Sequence, residues 1–125
     1  MTVIRSTEAR RTETPNAVMT TLASPTQGGA TNSLWRVEMK EGGQGPLHVF
    51  DAEQIWAVVS GGATVELGDD TLTVAAGDTV VLPAGVARRI TAEAAFSAVV
   101  TAPGGARVFK VGDPEEDRFT PGWIA

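Results

Sequence analysis

The chain has 125 residues, a formal net charge of −5 and a sequence pI near 4.8. Hydrophobic residues are 42% and charged residues 20%, which excludes a disordered chain and fits one domain with a real core. The sequence has no Lys/Arg-rich run, no cysteine and no apolar run near the ~20 residues of a spanning helix, which excludes a nucleic-acid surface, thiolate or disulfide chemistry and a membrane-crossing helix.

In chain order, residues 1–15 are polar and read as an N-terminal arm that could hold a short strand or turn. "NAVMTTLAS" alternates Met19, Thr21 and Ala23 against Val18, Thr20 and Leu22, as a strand does. After the turn cluster "PTQGGATN", "SLWRVEMK" has period two, with Trp35, Val37 and Met39 on one face and Arg36, Glu38 and Lys40 on the other. "LHVF" predicts a short strand, and "QIWAVVSG" a longer one ended by glycines. "ATVELGDDTLTVAAGD" reads as a hairpin. "TVVLPAGVARRIT" contains two strands joined by a Pro-Ala-Gly turn, and "AAFSAVVTAP" and "ARVFKVG" are further strands. The tail, 112–125, is acidic and ends in Trp-Ile-Ala, with Trp123 suited to a lid or a plug between subunits.

No segment carries a sustained helical stripe. Short strands at turn-punctuated spacing predict an all-β sandwich or barrel of about 9–11 strands. "QIWAVV" and "TVVLP" are apolar on both faces, so their outer faces need a cover: another layer, the arm, the tail or a partner subunit. A homodimer is the expectation drawn from this. The N-terminus lacks an apolar signal core, so the expected location is cytoplasmic.

Two motifs resemble those of the cupins. "GQGPLHVFDAEQIWAVVSG" resembles the first cupin motif, and "GDTVVLPAGVAR" resembles the second, in order and separated by a hairpin-sized connection. The likeness covers roughly residues 34–101. It implies a single-domain cupin β-barrel, a double-stranded β-helix or jelly roll, with little or no helix. In metal-binding cupins the ligands would fall on His48, Phe50, Gln54 and Arg88 of this chain. Phenylalanine cannot coordinate, and arginine is a cation with no lone pair to give. Two neutral ligands are too few for a divalent site, so no metal and no other cofactor is expected.

What remains is a pocket with one imidazole, one amide and one guanidinium. His48 is the only histidine and Tyr is absent, so proton transfer near neutral pH falls to His48. Arg88 is expected either to hold a ligand's negative charge or to pair internally with Asp51, Glu53 or Glu38. Gln54 would orient a ligand, and Trp35, Phe50 and Trp56 would form an apolar slot for a ring. The leading expectation is a metal-independent isomerase, dehydratase or cyclase acting on a small, ring-containing, possibly anionic metabolite. A non-catalytic binding or sensing domain is one alternative, and a metal-dependent dioxygenase or isomerase using His48 and Gln54 is another.

Overall fold

The computed structural model describes residues 2–125. Eleven strands form: β1 Arg10–Glu13, β2 Val18–Ala23, β3 Asn32–Met39, β4 His48–Phe50, β5 Gln54–Ser60, β6 Gly62–Leu67, β7 Asp70–Ala75, β8 Thr79–Leu82, β9 Arg88–Ala92, β10 Phe96–Pro103 and β11 Val108–Lys110. Short 3-10 turns at Ser6–Glu8 and Glu115–Asp117 complete the regular structure, and no helix is long and apolar enough to cross a membrane. Part of the expected arm is therefore a strand. β1 adds to the edge of β2, pairing Arg11 with Thr20.

The strands form two antiparallel sheets, ordered β1-β2-β3-β10-β5-β8 and β11-β4-β9-β6-β7. Period-two patterning turns one face of each sheet inward. Trp35, Val37 and Met39 of β3, Ala98, Val100 and Ala102 of β10 and Trp56 and Val58 of β5 are all buried. They face Phe50, Val65, Val74, Ile90 and Ala92 of the second sheet in one continuous core. Val100 pairs with Trp35 on one side and Trp56 on the other. A small residue between two large ones lets both indoles lie side by side on the inner face.

The chain passes from one sheet to the other at Gly61. Its φ is +72°, and a Cβ there would lie 1.9 Å from the Ala95 carbonyl oxygen, so only glycine fits.

The C-terminal residues run along the inner face of β2 and β3. Ile124 is completely buried, and the Thr21 and Ser33 hydroxyls donate to the carbonyls of Trp123 and Ile124 at 2.7 and 2.5 Å. Ala125 O accepts from Ser24 Oγ, Thr26 Oγ1 and an Arg10 amino group at 2.7–2.8 Å. The tail thus serves the inside of the barrel. The doubly apolar strands keep their outer faces open: Ile55, Val59 and Val81 are exposed, and neither β1 nor the tail covers them.

Candidate functional site

A cavity of about 360 Å³ lies between the sheets on the side of β2, β3, β4 and β11. Its walls include Met19, Trp35, Val37, Phe50, Trp56 and Ile90. Phe109, Lys110, Asp113, Phe119 and Trp123 line it from the C-terminal part of the chain. No lining residue comes from β6, β7, β8 or β10. The opposite half of the barrel is filled by Val58, Val65, Val74, Val80 and Leu82.

Five of the six site residues expected from sequence line this cavity: Trp35, His48, Phe50, Gln54 and Trp56. Strand alternation explains their convergence. His48 and Phe50 are two apart in β4, and Gln54 and Trp56 are two apart in β5, so each pair shares the inward face.

His48 is half-buried, edge-on to the Phe50 ring with centroids 5.3 Å apart. Its Nδ1 lies 2.6 Å from the Pro46 carbonyl oxygen. A carbonyl can only accept, so Nδ1 carries the proton and Nε2 keeps its lone pair for whatever the cavity holds. Burial lowers the His48 pKa from 6.5. The bond to Pro46 opposes that shift, and the nearby positive charge of Arg88 adds to it. Neutral imidazole is therefore the resting form. The sign for stability follows. The unfolded chain binds a proton at His48 more readily than the folded one, so acidification through 6.5 towards the lowered folded pKa favours unfolding. His48→Gln is expected to flatten that part of the stability–pH curve. An unchanged acid limb would show that the folded state does not depress this pKa.

Gln54 is buried, and its Oε1 accepts from the Trp56 indole at 3.0 Å. This fixes the amide flip. Nε2 makes no hydrogen bond among the described residues and is a donor available to the cavity.

Arg88 differs from expectation. It does point inward with Ile90, and it stands directly opposite His48 in the β4–β9 pairing. It is nevertheless completely buried and contributes nothing to the cavity wall. Its Nε donates to Val86 O at 2.9 Å and one amino group to Pro83 O at 2.6 Å, clamping the turn between β8 and β9. The other amino nitrogen is buried without a partner. The Phe50 ring, 5.7 Å from the guanidinium carbon, is close enough for a cation–π contact. None of Asp51, Glu53 and Glu38 pairs with it, and Asp51 instead binds Arg107 at 3.1 Å. Burial without a counter-charge pushes the Arg88 pKa down to about 10, leaving it charged at neutral pH.

The four positions that would ligate a metal are brought together, but the side chains do not fit one. Phe50 presents a ring, Arg88 a cation, and among the described residues no cluster of three or more His, Cys, Asp or Glu is placed to hold an ion.

Trp123, Phe109, Phe119 and Lys110 were missed as lining residues. They lie in sequence far from both motifs. The pairing of β11 with β4, which sets Lys110 opposite His48 and Val108 opposite Phe50, brings in Phe109 and Lys110; the bridge between Val108 and Phe119 brings in Phe119, and the Thr21 and Ser33 hydrogen bonds to the tail seat Trp123.

No curated protein matches the chain. Among solved structures it is similar to a conserved protein of unknown function from Streptococcus pyogenes, with 22% identity over 73% of this chain and 76% of that one and a TM-score of 0.63. An RmlC-like cupin from Shewanella frigidimarina is 15% identical over 81% and 88% of the two chains, at a TM-score of 0.71. Salicylate 1,2-dioxygenase from Pseudoaminobacter salicylatoxidans, solved as adducts with gentisate, is 19% identical over 83% of this chain but 31% of its own length, at 0.71. At these identities the likeness speaks for the fold alone. The family model described as "Cupin domain" matches residues 35–102, more than half of the sequence, and this chain belongs to that family.

Proposed function

We propose that this cupin binds a small ring-containing metabolite in the cavity between its sheets, and that His48 acts there as the proton acceptor of a metal-independent isomerisation, dehydration or cyclisation. The observation that carries the reading is the orientation of His48. Its Nδ1 proton is spent on Pro46, burial keeps the ring neutral, and Nε2 remains as a base beside an otherwise apolar chamber. Trp35, Phe50 and Trp56 offer flat apolar surface to a ring, and Gln54 offers one amide donor to a carbonyl or similar acceptor. A volume of about 360 Å³ sits at the small end for ligand pockets, suiting a compact metabolite.

One observation favours a purely binding role. Besides His48, the cavity's titratable lining is Lys110 and Asp113 alone, so a dedicated second acid near His48 is missing among the described residues. One experiment separates the readings. Small aromatic and cyclic metabolites are screened by thermal shift with and without divalent metal, and each stabilising compound is incubated with protein and followed by NMR for conversion. Catalysis predicts product formation that falls at least ~100-fold in His48→Ala, with the compound still bound. Binding without any product gives the sensing role. Turnover unchanged in His48→Ala removes His48 from the chemistry, and turnover that requires added metal contradicts metal independence.

A further inference from the structure

We propose that the cavity is an anion receptor in which Lys110 is the specificity-determining residue, its ammonium meeting the carboxylate or other anionic group of a ring-bearing ligand at the rim. This rests on the reading of the cavity as a ligand site and names the ligand's charge.

The strand register supplies the geometry. Lys110 of β11 stands opposite His48 of β4, which stands opposite Arg88 of β9. Residues directly opposite each other in an antiparallel ladder project from the same face. Lys110, His48 and Arg88 are therefore a row of nitrogen-bearing side chains across three adjacent strands. Lys110 is exposed and lines the cavity, which places it at the rim, while Arg88 is sealed behind Phe50.

Neither cation of the row is neutralised. The ion pairs among the described residues are Arg11–Glu13 and Arg107–Asp51, and neither involves Lys110 or Arg88. One carboxylate lines the cavity, that of Asp113, and its Oδ2 accepts from the Lys110 backbone N–H at 3.0 Å. That contact holds Asp113 to the backbone and leaves the Lys110 ammonium without an ion pair. The lining itself carries one cation and one carboxylate, Lys110 and Asp113, and the buried Arg88 adds an uncompensated positive charge behind Phe50. The apolar walls strengthen their field relative to water. A protein of net charge −5 thus keeps an ammonium without an ion pair at this rim. The ligand this suits is amphiphilic, with a ring against Trp35 and Trp56 and an anionic group held at Lys110.

The test uses a built-in reporter. All three tryptophans of the chain, Trp35, Trp56 and Trp123, line the cavity, so their fluorescence reports its occupancy. Naphthoate and its neutral methyl ester, sharing one ring system, are titrated into the full chain. The wild type is expected to bind naphthoate about fivefold more tightly than the ester, a preference eroded by raising salt from about 0.1 M to about 1 M. Lys110→Met should abolish the preference, the loss falling on naphthoate, and Asp113→Asn should increase the preference. Equal binding of the two probes by the wild type, or a preference that survives Lys110→Met, overturns the anion receptor and leaves the ligand cavity standing. Failure of both probes to change the fluorescence overturns the two together.

Discussion

Deleting Trp123–Ala125 is expected to lower the melting temperature by about 15 °C or more, the largest stability effect available from so short a change. Two losses add. Ile124 is completely buried, and removing such an aliphatic side chain costs about 2–5 kcal/mol. The second loss is polar. Thr21, Ser24 and Ser33 are completely buried, and each donates its hydroxyl to a carbonyl oxygen of Trp123, Ile124 or Ala125. Orphaning a buried hydroxyl costs about 1–3 kcal/mol, unless water enters behind the departed strap. The sum is comparable with the whole stability of an ordinary domain. The point variant Ile124→Ala isolates the apolar part and should cost about 3 kcal/mol. A deletion that melts within a few degrees of the full chain would mean that the tail is not part of the folded core.

Arg88 gives the second large effect, and its size depends on which substitution is made. Arg88→Ala removes both donors to the Pro83 and Val86 carbonyls and leaves a void, a loss of about 3 kcal/mol after allowing for relief of an unpaired buried charge. Arg88→Met keeps most of the volume and removes the charge. Two lost charge-assisted hydrogen bonds then oppose the gain from no longer burying an uncompensated cation, and the net change should be about 1 kcal/mol or less. A cost in Met equal to that in Ala would show that the guanidinium's hydrogen bonds dominate its desolvation. The same variant has an electrostatic readout. Burial is the main cause of the lowered His48 pKa and the Arg88 charge adds to it, so Arg88→Met should raise it part of the way. His48 is the sole histidine, which makes its ring protons an unambiguous NMR titration signal. A titration that does not move would disconnect the two residues.

Much of the fold can be read in the sequence because it is written in period two. "SLWRVEMK" alternates fully buried with exposed positions along β3, as its apolar spacing predicts. The Gly77-to-Arg88 stretch places a strand, a turn and a strand where they occur. The cavity lining was partly legible for the same reason, since residues two apart in a strand share a face. Two things were not. Thr21 and Ser33 look like ordinary polar strand positions, and nothing local shows that their hydroxyls are aimed at a tail a hundred residues away. Lys110 looks like a solvated lysine in a short apolar run until long-range pairing sets it opposite His48. The motif spacing put Arg88 at the right place in the barrel. It could not show that two turn carbonyls would claim the guanidinium and that Phe50 would close over it. Spacing fixes where a side chain leaves the backbone, whereas local competition for hydrogen bonds decides where it ends.

The unequal filling of the barrel has a consequence for how such a protein can diversify. In the solid half, around Val58, Val65, Val80 and Leu82, each side chain is surrounded by neighbours, and any change of volume is paid in contacts on every side. Side chains bordering the cavity, such as Met19, Val37 and Ile90, already have partner atoms missing on one side. Exchanging them alters the shape of the chamber while forfeiting less packing. One half of the molecule is thereby free to change the shape of its chamber under the protection of the other, without first acquiring surplus stability.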